Sequence, residues 1–262
     1  MKLKLMNKNF YLKKPYTYLR RKNKNDSEIV SQILYGEKFK IIKKTNKWFK
    51  IKNSYDGYIG YIKKQIISDN FKPTHKVAKL KSSIFKKNKN FKYIKTNKFL
   101  PFASKLMILN SDKKFSEFQK NQWLKNKDIV KINYIEKKLE KVLKLFLNTK
   151  YKWGGKIYNG IDCSGLLQIF FQFNNIFVPR DTKDQIKFFK TIKLKNNFQK
   201  GTLIFWKGHI AICLNKKSLI HAFGPRKKVV IMNIKKTINE IKNNSNLDVT
   251  GFKKFYAFRK KR

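Results

Sequence analysis

The chain is poor in the residues that usually carry chemistry, with two cysteines, three histidines and 15 acidic residues among 262 positions. Two cysteines cannot build a disulfide framework, so each thiol needs its own explanation. No stretch approaches the roughly 20 apolar residues of a membrane span, and the first ten residues lack the apolar run of a secretory signal. We therefore expect a cytoplasmic protein that does not span a membrane.

Positive charge is in large excess, and the formal net charge is +49. Such a charge usually indicates a nucleic-acid or membrane-surface partner. Here lysine, asparagine and isoleucine are spread over every segment without a basic block or helical stripe, which is the pattern of an AT-biased genome. We therefore expect no specific nucleic-acid partner and a monomeric chain; steep salt-dependent binding to DNA would contradict this interpretation. A hydrophobic content of 41% is enough to build folded cores.

The N-terminal half has the pattern of small β-barrels. Residues 1–25 are polar and rich in lysine and asparagine, so we predict a loose leader there. Short alternating runs separated by turn residues follow over 26–70, and a weaker set covers 71–131. Several short strands at this spacing predict two tandem barrels.

From residue 132 onward, helical and strand-like patterns alternate. Apolar residues at helical spacing over 135–146 predict an amphipathic helix, and the almost entirely apolar run 163–173 predicts a buried one. Three strand-like runs follow within 201–223, and then come another strand, a polar helix near 235–243 and a closing strand that reaches residue 258. We predict an α+β domain over 132–262, with a helix followed by an antiparallel sheet.

Cys163 lies in the segment Gly160-Ile-Asp-Cys-Ser-Gly165, where the buried helix should begin. Asp162 is in position to cap that helix, and the first-turn N–H groups and the helix dipole favour a thiolate there. Cys213 instead lies in an apolar strand, which is the usual setting of an inert cysteine. We therefore predict that Cys163 is the reactive thiol.

Two of the three histidines, His209 and His221, stand at the outer ends of a predicted hairpin. A three-residue loop over 215–217 pairs Leu214 with Ser218 and makes the histidines diagonal neighbours on one face of the sheet. A two-residue loop places them on opposite faces. The sequence therefore permits a site with one cysteine and two histidines but does not force it.

Cysteine and histidine are also the residue types that bind zinc. The spacing of this trio matches no short Cys-x-x-Cys or His-x-x-x-His unit. A thiol nucleophile needs a base and a group that orients the base, and the same trio supplies all three. We therefore predict nucleophilic catalysis with no metal and no cofactor.

Residues 146–224 resemble the catalytic core of the NlpC-type cell-wall peptidases, a papain-like group. The resemblance is carried by five motifs in order, namely Tyr151-x-Trp-Gly-Gly155, Asp162-Cys-Ser-Gly165, Pro179-Arg-Asp-Thr-x-x-x-Gln185, Gly208-His-Ile-Ala-Ile212 and Ile220-His-Ala222. It implies a papain-like domain that hydrolyses amides of wall-derived peptides. One departure is Gly201-Thr202, where the family usually has Gly-Asp.

The resemblance also implies a role for each matched residue. Cys163 would be the nucleophile, His209 the general base and His221 the residue that orients the base. A substrate subsite would be lined by Tyr151, Asp162 and Ser164.

The N-terminal half resembles bacterial SH3-like domains, through Val30-Ser-Gln-Ile-Leu-Tyr-Gly-Glu37, Asp56-Gly-Tyr-Ile-Gly-Tyr-Ile62 and Thr74-His-Lys-Val77. Two such domains before this catalytic domain are similar to the dipeptidyl-peptidase VI group. That similarity implies cleavage of the γ-D-Glu–diamino-acid amide in murein peptides with a free N-terminal L-Ala, as in wall-peptide recycling.

In that group the first SH3-like domain limits the substrate to a free amino terminus. The resemblance therefore directs attention to the scarce acidic side chains of this domain, Glu28, Asp26 and Glu37, as contacts for the substrate amine, and to Tyr58 or Tyr61 for a hydroxyl at the rim of the site. The alternatives are a general wall endopeptidase, an acyltransferase on the same fold and a non-catalytic wall-binding protein.

Overall fold

The computed structural model describes residues 8–193 and 198–254. The chain divides into two compact units at the junction between Ile135 and Glu136. The last part of the predicted closing strand, residues 255–258, lies outside the described residues. Among the described residues, no helix is long and apolar enough to cross a membrane.

The first sheet of the N-terminal unit has seven antiparallel strands. They are β1 (Asn9–Leu12), β2 (Tyr16–Arg20), β3 (Ile29–Leu34), β4 (Lys38–Lys44), β5 (Trp48–Asn53), β6 (Ile59–Lys63) and β7 (Ile67–Ser68). Their order in the sheet is β3-β2-β6-β5-β4-β1-β7. Because alternate residues of a strand face opposite sides, the apolar ones meet in one core that includes Ile33, Phe39, Ile51 and Ile62.

The prediction of a loose leader over residues 1–25 is wrong for residues 9–20. Strand β1 pairs with β4 and β7, and strand β2 pairs with β3 and β6. Phe10, Leu12 and Leu19 are buried in the core of this sheet. Composition was misleading because these strands have only four and five residues, and lysine and asparagine crowd the positions around them.

The rest of the N-terminal unit forms a second group of strands with its own core. They are β8 (His75–Val77), β9 (Lys81–Lys87), β10 (Tyr93–Pro101), β11 (Lys105–Leu106), β12 (Asn110–Ser111), β13 (Phe115–Gln119), β14 (Gln122–Lys125), a 3-10 turn (Asn126–Asp128) and β15 (Ile129–Lys131). One sheet has the order β10-β9-β14-β13-β12 and the other β11-β8-β15. The long β9–β10 hairpin was not predicted, because most of its side chains are polar.

The C-terminal unit is a layer of helices on a six-stranded sheet. The helices are α1 (Leu139–Leu145), α2 (Cys163–Phe173), α3 (Thr182–Phe188) and α4 (Ile234–Ser245). The strands are β16 (Lys156–Ile157), β17 (Gly160–Ile161), β18 (Lys190–Thr191), β19 (Thr202–Trp206), β20 (His209–Cys213), β21 (Ser218–Phe223), β22 (Lys228–Asn233) and β23 (Val249–Lys254). The main sheet has the order β18-β23-β19-β20-β21-β22, with all its pairs antiparallel. The predicted α+β class is confirmed.

Helix α2 is buried along its whole length, as its apolar sequence predicts. It packs against α1 and against strands β20 and β21 of the sheet. Because the helix begins at Cys163 and β20 begins at His209, this packing sets the thiol beside the strand that carries the histidine. Helix α3, which the sequence analysis did not predict, has only seven residues and begins after Asp181.

Candidate active site

Cys163 is the first residue of helix α2 and is 3% exposed. The carboxylate of Asp162 caps the helix by accepting a hydrogen bond from the N–H of Gly165 at 2.7 Å. The sulfur lies 3.9 Å from the carbonyl oxygen of Gly208 and accepts a hydrogen bond from the N–H of Ile210. Gly208 and Ile210 are the two neighbours of His209 in sequence, so the thiol lies against strand β20 beside His209.

The β20–β21 hairpin has the three-residue loop that places both histidines on one face. Ile212 pairs with Ile220, and the N–H of Leu214 donates to the carbonyl of Ser218 at 2.9 Å. The side chain of Asn215 holds the turn by accepting two backbone N–H groups at 2.8 Å. The diagonal arrangement is therefore confirmed, and the two-residue loop is excluded.

The two imidazoles contact each other directly. Nε2 of His209 lies 2.9 Å from Nδ1 of His221, which is hydrogen-bonding distance. His221 is completely buried, and its ring stacks on the ring of Phe223 with centroids 4.5 Å apart. The ring nitrogen of His209 that remains for a proton transfer is Nδ1.

Burial controls the protonation of this group. It raises the pKa of Cys163 to about 12, with the Asp162 carboxylate acting in the same direction, and the N–H groups of Ile210 and Ser164 offset only part of the rise. Burial lowers the pKa of His209 to about 4. Burial therefore favours an uncharged thiol and an uncharged imidazole in the resting site. It thus opposes the thiolate that the helix N-terminus favours.

A buried ion pair fixes the start of helix α2. Nη2 of Arg180 lies 2.6 Å from Oδ2 of Asp162, and Nη1 lies 3.0 Å from Oδ1. The same Nη1 donates to Oγ of Ser164 at 2.7 Å, and Oδ2 of Asp162 also accepts the N–H of Gly154 at 2.8 Å. The side chains of the pair are 2% and 6% exposed. Asp162 and Ser164, predicted to line a substrate subsite, are thus engaged in holding the glycine loop and the helix together.

Arg180 has no role predicted from the sequence, although it lies in the motif Pro179-Arg-Asp-Thr. The available signal was its residue type, because only six of the 64 basic residues are arginine. Only arginine presents a planar fork that matches a carboxylate with two parallel hydrogen bonds. Gln185 was also missed; its Nε2 donates to the carbonyls of Ser164 and Pro179 at 3.1 and 2.9 Å, which ties helix α3 to the start of α2.

The other candidates from the sequence fall in two groups. Tyr151 belongs to the C-terminal unit, where burial raises the pKa of its hydroxyl above its usual range and the Asp162 carboxylate acts in the same direction. Glu28, Tyr58 and Tyr61 belong to the N-terminal unit.

In that unit Nε of Arg21 donates to Oε2 of Glu28 at 2.5 Å, and Nζ of Lys50 lies 5.8 Å from the ring centroid of Tyr61. Tyr58 is partly buried against the core of the first sheet. Of the other two acidic candidates, Asp26 is exposed and Glu37 is 2% exposed. A role for any of these side chains in binding the substrate amine stays a prediction. Among the described residues, no group of three or more His, Cys, Asp or Glu side chains is placed to hold a metal ion.

Two segments of the chain match known protein families. Residues 148–245 match the NlpC/P60 family. The chain contains an NlpC/P60 domain. Residues 19–67 match the SH3 domain of bacterial dipeptidyl-peptidases, so an SH3 domain of this type precedes the NlpC/P60 domain.

Two curated relatives cover most of the chain. Dipeptidyl-peptidase 6 of Lysinibacillus sphaericus is 27% identical in an alignment of 225 residues that covers 75% of this chain and 80% of that one. The γ-D-glutamyl-L-lysine dipeptidyl-peptidase of Bacillus subtilis is 26% identical over 238 residues, covering 82% and 79%. Together with the NlpC/P60 match, these relatives indicate a cysteine peptidase, a hydrolase.

A solved structure shows the same fold. An NlpC/P60 family protein from Bacillus cereus superposes with a TM-score of 0.77 at 19% identity, over 94% of this chain and 99% of that one. The predicted NlpC-type, papain-like fold with an N-terminal SH3-like region is thereby confirmed.

We predict that Arg180→Met destabilises the NlpC/P60 domain strongly, because it leaves the Asp162 carboxylate buried without its partner. The expected loss in the free energy of unfolding is about 3–5 kcal/mol, from urea unfolding followed by circular dichroism. The matched control is Arg226→Met, which removes an ion pair with Glu240 on a half-exposed arginine and should cost less than about 1 kcal/mol. Equal losses in the two variants would contradict the assigned role of the Asp162–Arg180 pair.

We also predict that acid destabilises the domain through its buried histidines. Burial lowers the pKa of both His209 and His221. Between about pH 6.5 and pH 4 these histidines are therefore protonated in the unfolded chain but not in the folded one. The free energy of unfolding is therefore unaffected by these histidines above pH 6.5 and decreases as the pH falls towards 4. The free energy of unfolding of His221→Asn should vary less over this range than that of the wild type. A pH dependence in His221→Asn that equals that of the wild type would contradict this account.

Proposed function

We propose that the chain hydrolyses the γ-D-glutamyl–L-diamino-acid amide of murein peptides that have a free N-terminal L-Ala. The observation that carries the proposal is the placement of a helix-start thiol against a strand that presents a histidine already hydrogen-bonded to a second histidine. The two dipeptidyl-peptidase relatives, which cover 75% and 82% of this chain, support the substrate class.

In the proposed mechanism, the thiol of Cys163 attacks the carbonyl carbon of the amide after D-Glu. Since the resting pair is neutral, the thiol proton passes to Nδ1 of His209 as the sulfur–carbon bond forms. The resulting imidazolium then protonates the leaving amine of the diamino acid. Water, deprotonated by the same imidazole, hydrolyses the thioester and releases L-Ala-D-Glu.

The remaining residues have supporting roles in this proposal. His221 accepts a hydrogen bond from the imidazole of His209 and stabilises the cation formed during transfer. The backbone N–H of Ser164 at the start of helix α2, which already contacts the sulfur, stabilises the oxyanion. Tyr151 contributes a hydroxyl to the subsite beside the thiol.

The proposed organisation has three domains. A first SH3-like domain begins with strand β1 rather than at residue 26, a second occupies 71–131, and the catalytic domain occupies 132–262. In the related group the SH3-like domain restricts the substrate to a free amino terminus, and we assign the same task here to the first domain. A short peptide with a free amino terminus is already detached from the wall, so we place the reaction in the cytoplasm.

Cys163→Ala should abolish hydrolysis of the tripeptide L-Ala-γ-D-Glu-L-diamino acid, because it removes the atom that forms the thioester. Cys213→Ala is the matched control. The thiol of Cys213 is 1% exposed, against 3% for Cys163, but it belongs to the core of the sheet. It should retain turnover while lowering the melting temperature. Product formation is measured by mass spectrometry, and a folded Cys163→Ala protein with wild-type turnover would exclude the cysteine-peptidase mechanism.

Acetylation of the L-Ala amine should lower kcat/KM by about a hundredfold or more, since it removes a charge that the enzyme is proposed to pair. The experiment compares cleavage of the free and N-acetylated tripeptides, with lysine and diaminopimelate forms of each. Equal rates on the free and acetylated forms would mean that the protein is a general wall endopeptidase.

A further inference from the structure

The second nitrogen of His221 also has a partner. Nε2 of His221 lies 3.4 Å from the sulfur of Met232, in the range of a hydrogen bond to a thioether. Leu219 pairs with Met232 across strands β21 and β22, so Met232 is the diagonal neighbour of His221 on the same face of the sheet. A row therefore runs from His209 through His221 to a methionine on the next strand.

This row determines where the protons are. A thioether sulfur accepts hydrogen bonds but has no hydrogen to donate, so the proton in the last contact belongs to Nε2 of His221. His221 is completely buried, so its N–H group needs a protein acceptor, and in the described part of the chain that acceptor is the sulfur of Met232.

A neutral imidazole carries a single N–H group, so the remaining assignments follow. With its proton on Nε2, His221 presents a lone pair at Nδ1. His209 must then donate from its Nε2, because the two atoms are 2.9 Å apart and one of them has to carry the hydrogen. This leaves Nδ1 of His209 without a proton, as a base requires.

The opposite assignment is disfavoured by the same contacts. A proton on Nδ1 of His221 would point at His209 and would leave the unprotonated Nε2 of His221 facing the lone pairs of the Met232 sulfur. His209 would accept at Nε2 and carry its own proton on Nδ1. In that state the imidazole cannot take the proton of the thiol.

We propose that Met232 is a positioning residue that fixes the tautomers of His221 and His209 through its sulfur. Its effect on catalysis rests on the proposed function, whereas its effect on the tautomers does not. Packing alone does not require a sulfur atom at this partly buried position on an outer strand, because leucine fills a similar volume.

The test replaces the sulfur and reads the imidazole nitrogens directly. In wild-type protein labelled with ¹⁵N at histidine, two-bond ¹H–¹⁵N spectra near neutral pH should show both His209 and His221 as Nε2–H tautomers. In Met232→Leu the Nδ1–H tautomer of both rings should become populated, because the Nε2–H tautomer of His221 has lost its hydrogen-bond acceptor. Met107→Leu, which changes a partly buried methionine of the N-terminal unit, is the matched control and should leave the spectra unchanged.

With the free tripeptide as substrate, Met232→Leu should lower kcat by up to about tenfold. One ordinary hydrogen bond shifts the equilibrium between the two tautomers by about that factor. KM should change little, since Met232 does not touch the substrate in this account. If Met232→Leu does not fold, norleucine incorporated in place of methionine in the Met107→Leu background removes the same sulfur with less change in shape.

The two proposals fail in different ways. Wild-type tautomers in a folded protein that lacks the Met232 sulfur would overturn the positioning role, whatever the activity. A tautomer change in a protein that cleaves no murein peptide would uphold the role of Met232 and reject the proposed function.

Discussion

Asp162 and Arg180 form a two-pronged ion pair inside the C-terminal unit, and the geometry of the site follows from it. The carboxylate caps helix α2, so it determines where the helix and its first residue, Cys163, begin. Its second oxygen holds the glycine loop before the helix through the N–H of Gly154. A buried carboxylate is costly to desolvate, and the guanidinium together with two backbone N–H groups offsets that cost. Two residues 18 positions apart in sequence thereby connect loop, helix and the following segment.

The same exclusion of water sets the chemistry of the reacting groups. Burial favours the uncharged forms of Cys163, His209 and His221, so the resting site carries no separated charges among these three side chains. Such a site depends on hydrogen placement rather than on a preformed ion pair, because a neutral imidazole is a base at only one nitrogen. The three-residue loop of the β20–β21 hairpin supplies the register, and the contact between the two imidazoles supplies the direction of the hydrogen bond.

The sequence predicted the site better than it predicted the barrels, and the reasons are physical. The apolar helix after Cys163 and the strands of the hairpin have unbroken hydrophobic patterns, so their limits were right to within a residue or two. The hairpin register was one of two stated alternatives, since it depends on how Asn215 folds the turn. Strands β1 and β2 were missed because they are only four and five residues long and are bordered by segments rich in lysine and asparagine. The neutral resting state was missed because it depends on burial in three dimensions.

The central claim is that Cys163 forms a covalent thioester with the γ-D-glutamyl carbonyl, and rapid-quench mass spectrometry tests it most directly. The enzyme is mixed with the free tripeptide, quenched in acid within the first turnover, digested and mapped. The account predicts an L-Ala-D-Glu adduct on the peptide that contains Cys163, absent after a chase in which water completes the reaction. Two results would contradict it. One is repeated turnover by the wild-type protein without an adduct on Cys163, and the other is an adduct on the peptide that contains Cys213.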